Sequence, residues 1–524
     1  MTAASERPGR GRTVLTLTTA PVAAPAARRP DALLLAIAAT LISLIGSGRP
    51  SLWVDESATV SATARPLPEL WALVQHTDAV HGLYYLLMHV WSAWVPATEF
   101  WLRVPSALLV GAAAAGVVVL AREFVGRPEA IAAGVVFAVL PRTTWAGIEA
   151  RPYALTMACA VWLTVLLIVA ARRSSPGWWM AYAAALWISV CTNLFLVLLL
   201  AVHAVLLCGL APGRRSLAAW AAASGAATVA AVPLLSMAVG QQAQVSWIWP
   251  LGPATAGQIF AEQYFPSVYS DGLRAVGPDQ QQFTAEQFAV ALGAWARVAP
   301  LICVLVTLAV VLIWRRVRTP VPPAHPDRRL LVTVCATWVL LPTAAAIAYS
   351  ALIRPLYQPH YLTFTTPAAA LLIGVGVVSV GRSPRAVAVI LAVIAAAALP
   401  NYLAQRSPFA KYGADYSQVA DLLAAQAAPG DCLVLDATLS ESAVRGIEGA
   451  RRWRVDGLVD VGVDETALQR KSLFASRDPA ARAVPLCPAV WTVSDAHAEP
   501  SPGTVVAGEW TFNQTRVVKA AEPG

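Results

Sequence analysis

Long apolar runs alternate with short clusters of arginine along most of this chain, and that alternation limits what it can fold into. Eleven runs stand out, at about 31–48, 102–121, 128–146, 152–171, 178–192, 194–211, 216–239, 296–314, 329–350, 361–380 and 385–402. Each is close to the length a helix needs to cross a bilayer, about 17–25 residues. Arginines precede the first run (Arg7, Arg10, Arg12, Arg28, Arg29) and then return in every second connection: Arg122 and Arg127; Arg172 and Arg173; Arg214 and Arg215; Arg315, Arg316, Arg318, Arg328 and Arg329; Arg382 and Arg385. Basic residues collect on the cytoplasmic side of membrane proteins. The parity therefore predicts a cytoplasmic N-terminus and an extracytoplasmic C-terminus. The segment before the first run, 1–30, reads as a disordered cytoplasmic tail, with no obvious cleavage site after the run.

Composition agrees. The 524 residues are 57% hydrophobic and 13% charged, against about 25% charged in soluble domains. The net charge of +8 belongs to the arginine clusters, and no basic face with interleaved aromatics suggests nucleic acid. Cys159, Cys191, Cys208, Cys303 and Cys335 fall in apolar runs and read as small buried hydrophobes. Cys432 and Cys487 lie in the polar C-terminal region and can pair if that region is outside the cytoplasm.

Parity also decides the segment 82–96, GLYYLLMHVWSAWVP. Were it a crossing, all later arginine clusters would face outward. It is short and rich in Tyr and Trp, which suits the interface, so an interfacial helix is expected within an outer loop, 49–101. Residues 178–211 read as two helices parted by Thr192-Asn193. A second long outer loop, 240–295, reads as a lid or an acceptor-binding loop. Residues 404–524 are polar and predict a small α/β domain, with an amphipathic helix before a Pro-Gly turn and strands at 432–436 and 489–493. The expected architecture is mainly α: a polytopic membrane bundle over 31–403 carrying an extracytoplasmic α/β domain.

Charged residues outside the cytoplasm gather at the outer helix ends. Asp55 and Glu56 follow the first run in a W-V-D-E segment, where a carboxylate can serve as general base toward a hydroxyl. His81, with Tyr84 and Tyr85, opens the interfacial helix. Glu149 and Arg151 occupy a tight turn, where they read either as a local ion pair or as an arginine facing a phosphate. Arg354, Tyr357 and His360 stand before another run. Arg103 reads as an interface anchor. No cysteine spacing predicts a metal site.

These segments resemble a family. WVDE, HGLYYLL, LRVPSALLVG, PRTTWAGIEARPYAL and PHYLTFTTPA, in this order over about 30–400, look like the polyprenyl-phosphate-sugar-dependent membrane glycosyltransferases. These are the GT-C class, in the branch with protein O-mannosyltransferases and the lipid A aminoarabinose transferase. The family's H-P-P-L-Y-Y segment is His81-Gly82-Leu83-Tyr84-Tyr85 here, without its prolines. The Ala- and Arg-rich composition is similar to that of high-GC bacterial members. The resemblance implies an inverting transferase that moves a sugar, mannose first, from a polyprenyl phosphate to a cell-envelope glycolipid or glycan on the outer face of the plasma membrane. Asp55 matches the family's catalytic carboxylate. Glu56 would orient the acceptor or a metal. Arg151, Arg354 and His360 would hold the donor phosphate, and His81, Tyr84, Tyr85, Glu149 and Tyr357 would line the substrate site. Some members need a divalent cation and others do not, and two carboxylates are too few ligands to choose. Arabinofuranosyl transfer is the close alternative. A transporter of lipid-linked sugars is the alternative from another class, but its ionisable residues would lie near the bilayer midplane.

Overall fold

The computed structural model describes residues 29–270, 285–318, 326–478, 487–498 and 506–520. Nearly all of the expected N-terminal tail, and 271–284 of the long outer loop, lie outside the described residues.

Every one of the apolar runs is helical. Among the described residues six helices are long and apolar enough to cross a membrane singly: Glu99–Arg122, Tyr153–Arg173, Arg214–Gly240, Asp327–Leu352, Pro359–Gly381 and Pro384–Ala404. Ala289–Ala296 with Ala299–Arg315, bent by 53°, makes a seventh if the pair is one span. The others are shorter or interrupted, each for a local reason. The first, Arg29–Leu44, has 16 residues. Arg127–Val139 stops at Leu140, which is extended. Pro141 follows it and disfavours a helical conformation there, so 128–146 is two helices rather than one. Pro176–Thr192 ends at Asn193, whose side chain accepts a hydrogen bond from the Phe195 amide and starts the next helical segment.

Small residues let these helices pack closely, as helices in a membrane must without a hydrophobic drive between them. A Cβ on Gly374 would lie 2.5 Å from the Ala133 backbone nitrogen, so Thr366–Gly381 lies backbone to backbone with Arg127–Val139. Cys335 is buried and Cys159 and Cys191 are partly so. Cys208 and Cys303 lie exposed on the outside of the bundle, which corrects the expectation that all five are buried.

The first outer loop is an ordered layer of helices, Val54–Thr63, Leu67–His76 and Gly82–Ser92. Gly82–Ser92 buries Tyr84, Tyr85 and Met88 and leaves Leu86, Leu87 and Val90 exposed. After the last long helix comes a mixed five-stranded sheet of β1 (Cys432–Leu435), β2 (Val459–Val461), β3 (Val490–Asp495), β4 (Val506–Thr511) and β5 (Thr515–Ala520), in the order β2-β1-β3-β5-β4. β1 is parallel to β2 and β3. β5 is antiparallel to β3 and β4. Cys432, at the start of β1, is joined to Cys487 by a disulfide.

The sheet domain and the outer-loop helices share one apolar core. Leu52, Leu73, Tyr84 and Tyr85 are buried in the same cluster as Val419, Leu423, Leu433, Ile447 and Trp491. The seam is also hydrogen-bonded. Ser57 Oγ donates to the Gly446 carbonyl at 3.0 Å, the Leu52 amide to Ser417 Oγ at 2.9 Å, and Ser61 Oγ to the Leu473 carbonyl. Arg65, 2% exposed, donates to the Ser472 carbonyl. At the closest approach a Cβ on Gly449 would stand 2.3 Å from Ser57 Cβ. Gly449→Val is therefore expected to push the helix Glu441–Arg451 off Val54–Thr63, costing about 1–3 kcal/mol as overpacking. The measurements are a thermal melt of the purified protein and faster proteolysis within 404–524; an unchanged melt and cleavage pattern would refute the seam.

Candidate functional site

Asp55 and Glu56 sit in the first turn of Val54–Thr63, where the positive helix end favours carboxylates. Neighbouring helical positions point about 100° apart, and the two side chains diverge accordingly. Glu56 turns inward and is fully buried, whereas Asp55 keeps a third of its side chain exposed.

Glu56 is spent on Arg103. The guanidinium grips it through Nε to Oε1 at 2.8 Å and Nη2 to Oε2 at 2.6 Å. Arg103 Nη1 also donates to the Ser47 and Pro50 carbonyls at 2.7 and 2.8 Å, and Nη2 to Ser51 at 3.2 Å, so all the donors of the fork are used. Glu56 Oε1 accepts from the Ala150 amide as well, at 2.9 Å. Burial works against the Glu56 charge, but Arg103, Lys411 and the Ala150 amide hold its pKa below the ordinary range. Two expectations change here. Arg103 is a buried staple between three segments and no interface anchor. Glu56 has no free surface with which to orient an acceptor or a metal.

The turn 149–151 is held from several sides. Ser106 Oγ donates to the Glu149 carbonyl at 2.6 Å and Thr59 Oγ1 to the Ala150 carbonyl at 2.8 Å. The Glu149 carboxylate pairs with Lys411, not Arg151, and accepts from Trp53 Nε1 at 3.0 Å. Burial raises Glu149 to about 7, against the pull of Lys411. Neither the local Glu149–Arg151 pair nor an open substrate-lining Glu149 is what the geometry gives.

Arg151 faces Asp55 instead. Its Nε lies 3.9 Å from Asp55 Oδ2, and its Nη1 donates to the Asp55 carbonyl at 3.4 Å and to the Tyr85 hydroxyl at 3.1 Å. Tyr85 in turn donates to Asp78, a residue at φ +60°. Burial would raise Asp78, yet His81, Arg151 and the Tyr85 hydroxyl hold it below its usual value. Burial pushes Asp55 up, and more strongly than Arg151 holds it down. Burial and Arg151 push His81 down to about 4, so its ring is neutral at pH 7. Two buried nitrogens, Arg151 Nε and His81 Nδ1, have no hydrogen-bond partner among the described residues. The Tyr84 hydroxyl is another such atom, on a side chain 1% exposed.

The remaining candidates do other work. Arg354 donates to the Gln242 side chain and, at 2.8 Å, to its carbonyl. Next to it, Gln241 and Gln244 accept from the Ala79 and Asp78 amides at 2.8 and 3.1 Å. Arg354 thus lies at the same end of the molecule as Asp55, but it ties down a loop. Tyr357 is buried and donates to Gln263 Oε1 at 3.2 Å. His360 stands among rings, 5.4 Å from Tyr153, 4.7 Å from Tyr361 and 6.4 Å from Trp145. Asp55, Arg151, Tyr85 and His81 are brought together; Arg354 and Tyr357 are diverted to bracing.

Asp78, Lys411 and Arg142 were not anticipated. Lys411 carried a signal, being one of three lysines in the chain. Arg142, 3% exposed, donates to the Gln263 carbonyl at 2.9 Å and to the Glu262 carbonyl, which pins the long outer loop to the bundle. Among the described residues no group of three or more His, Cys, Asp or Glu is placed to hold a metal ion.

No protein-family model and no curated protein matches the sequence. Solved structures do match. ArnT from Cupriavidus metallidurans in the apo state aligns with a TM-score of 0.51 at 15% identity, over 94% of this chain and 98% of that one. The fold is the GT-C membrane bundle. The same protein bound to undecaprenyl phosphate aligns with a TM-score of 0.47 at 15% identity, over 94% and 98%. The oligosaccharyltransferase AglB from Archaeoglobus fulgidus, in complex with an inhibitory peptide and a dolichol-phosphate, gives 0.45 at 14% identity, over 89% and 69%.

Arg103→Met leaves the Glu56 carboxylate buried without its ion partner, which typically costs about 3–5 kcal/mol. Thermal unfolding in detergent is expected to show that loss, with Arg103→Met/Glu56→Gln more stable than Arg103→Met alone. Equal stability of the single and double variants would contradict the staple.

Proposed function

We propose that this protein is an inverting glycosyltransferase that moves a sugar from a polyprenyl phosphate to an acceptor hydroxyl at the outer end of the bundle. One observation carries the reading: a partly exposed carboxylate, Asp55, faces a buried guanidinium, Arg151, at 3.9 Å, and the Arg151 Nε makes no hydrogen bond among the described residues. Asp55 accepts the proton of the acceptor hydroxyl as that oxygen attacks the anomeric carbon. The bond from that carbon to the phosphate oxygen breaks with inversion, and polyprenyl phosphate leaves with the bonding pair. Arg151 stabilises the charge that grows on the leaving phosphate, and His81, neutral, offers a hydrogen bond. The raised pKa of Asp55 makes it a stronger base.

Glu56 and Glu149, both spent on internal cations, hold the base and its helix in place. The undecaprenyl phosphate bound by ArnT supports a lipid phosphate as the donor's carrier. The Cys432–Cys487 disulfide supports an extracytoplasmic C-terminal domain, as the arginine parity does. Mannose is the sugar we favour, on the sequence resemblance, with a cell-envelope glycolipid or glycan as acceptor. Transport fits less well, because Asp55 and Arg151 stand at helix ends and not along a midplane path.

Two outcomes are expected. Asp55→Asn lowers kcat about 10²–10⁴-fold while binding of undecaprenyl phosphate is kept; unchanged transfer to envelope glycans in that variant would exclude Asp55 as base. The base works only when deprotonated and burial raises its pKa. Activity therefore falls as pH drops through a value above the roughly 3.9 of a free aspartate. A pH profile of kcat/KM flat down to that value would contradict the assignment.

A further inference from the structure

Around Trp53, two residues before Asp55, lies a set of side chains that the mechanism above does not use. Trp53, the residue before the helix that carries Asp55, packs against Tyr412 with ring centroids 5.3 Å apart. Tyr412 is followed by Tyr269 at 6.5 Å with planes only 16° apart. The three rings make a shelf, and Tyr412 is 51% exposed on it. At its edge the Glu262 carboxylate accepts from the Tyr269 hydroxyl at 3.2 Å and forms no ion pair among the described residues. Trp53 also donates through Nε1 to Glu149 at 3.0 Å, and Glu149 pairs with Lys411, the residue before Tyr412, so the rings stand beside the start of the helix that carries Asp55.

The shelf is built at some cost, from three distant parts of the chain. Tyr412 has φ +56°, an outlier for a bulky side chain that persists only where its surroundings impose it. The tip between β4 and β5 imposes it. Gln514 Nε2 donates to the Tyr412 carbonyl at 3.0 Å, and Asn513 Nδ2 to the Gly413 carbonyl at 2.8 Å and to Ser270 at 2.9 Å. Glu262 ends a π-helical turn, Gln258–Glu262, a rare form frequent at functional sites, and Arg142 fixes that turn through the carbonyls of Glu262 and Gln263.

We propose that Trp53, Tyr412, Tyr269 and Glu262 form the acceptor subsite and that its ligand is a saccharide. The inference rests on the glycosyl-transfer reading and gives its acceptor a binding place on named residues. Attack with inversion requires the acceptor to enter on the side of the anomeric carbon away from the phosphate. With the phosphate on Arg151, the acceptor then comes to Asp55 past Trp53 and Tyr412. A sugar ring has an apolar C–H face and a rim of hydroxyls. The Trp53 and Tyr412 planes are inclined by 38°, so the rings offer a stepped amphipathic surface for the face, and Glu262 offers acceptor oxygens to the rim. The C-terminal domain then has a definite part: its hairpin tip holds the shelf in position.

The test is saturation-transfer NMR on the full chain in nanodiscs, with undecaprenyl phosphate added to fill the donor side and methyl α-mannopyranoside or methyl α-arabinofuranoside as probe. At least one glycoside is expected to bind through its ring C–H protons. Tyr412→Ala and Glu262→Gln are expected to weaken it about tenfold, Tyr412→Phe to keep it, and undecaprenyl phosphate binding to stay unchanged in all three as the control for folding. Failure of both glycosides to bind the wild type, or wild-type affinity in Tyr412→Ala and Glu262→Gln, would overturn the subsite. Normal transfer with a shelf that binds nothing refutes the subsite alone. A shelf that binds glycoside in a protein that transfers no sugar refutes the transferase reading and leaves the saccharide site.

Discussion

The arrangement at the end of the bundle that carries Asp55 depends on one buried ion pair, Arg103 with Glu56. A guanidinium in an apolar helix is costly unless every donor is satisfied, and here each is. Its partners are the turn after the first helix, the helix that carries Asp55 and, through Glu56, the Ala150 amide. Residues 47–56, the helix of Arg103 and the turn at Ala150 are thereby fixed to one point. Asp55 and Arg151 face each other because each is adjacent in sequence to a residue so held.

A second buried pair, Lys411 with Glu149, extends the same device beyond the bundle. Lys411 lies after the last long helix, so the start of the C-terminal region is bound to the turn that presents Arg151. The shared core of outer-loop helices and sheet makes the C-terminal domain part of the site's frame. Its hairpin tip reaches Tyr412 and Ser270, and the long outer loop is held through Arg142 and Gln263. Much of the polar inventory near Asp55 is therefore bracing, and that bracing leaves Asp55 and the Arg151 Nε facing each other.

The sequence made the bundle legible because hydrocarbon imposes a simple rule: long apolar runs, with arginine kept to alternate ends. The broken run at 128–146 shows the limit. Pro141 lies within an apolar stretch long enough for one helix, and the chain breaks there into two. Arg103 shows another limit. An arginine at the start of an apolar run is the same in sequence whether it snorkels or is buried, and only the position of Glu56 decides. Arg354 and Tyr357 looked like site residues because they share the outer end of a helix with His360. Glutamines more than ninety residues away claim them.

By itself the sequence determined the helical membrane bundle, the alternation of its arginine clusters, and the helix-and-strand character of the C-terminal region. Those features are local: they depend on hydropathy over a window and on residue type. Tertiary structure decided which of two adjacent carboxylates meets solvent, which cation each acid keeps, and that Trp53, Tyr269 and Tyr412 stand side by side. These depend on long-range pairing between buried charges and rings, where burying a group unpaired costs several kcal/mol, and sequence spacing carries no record of that pairing.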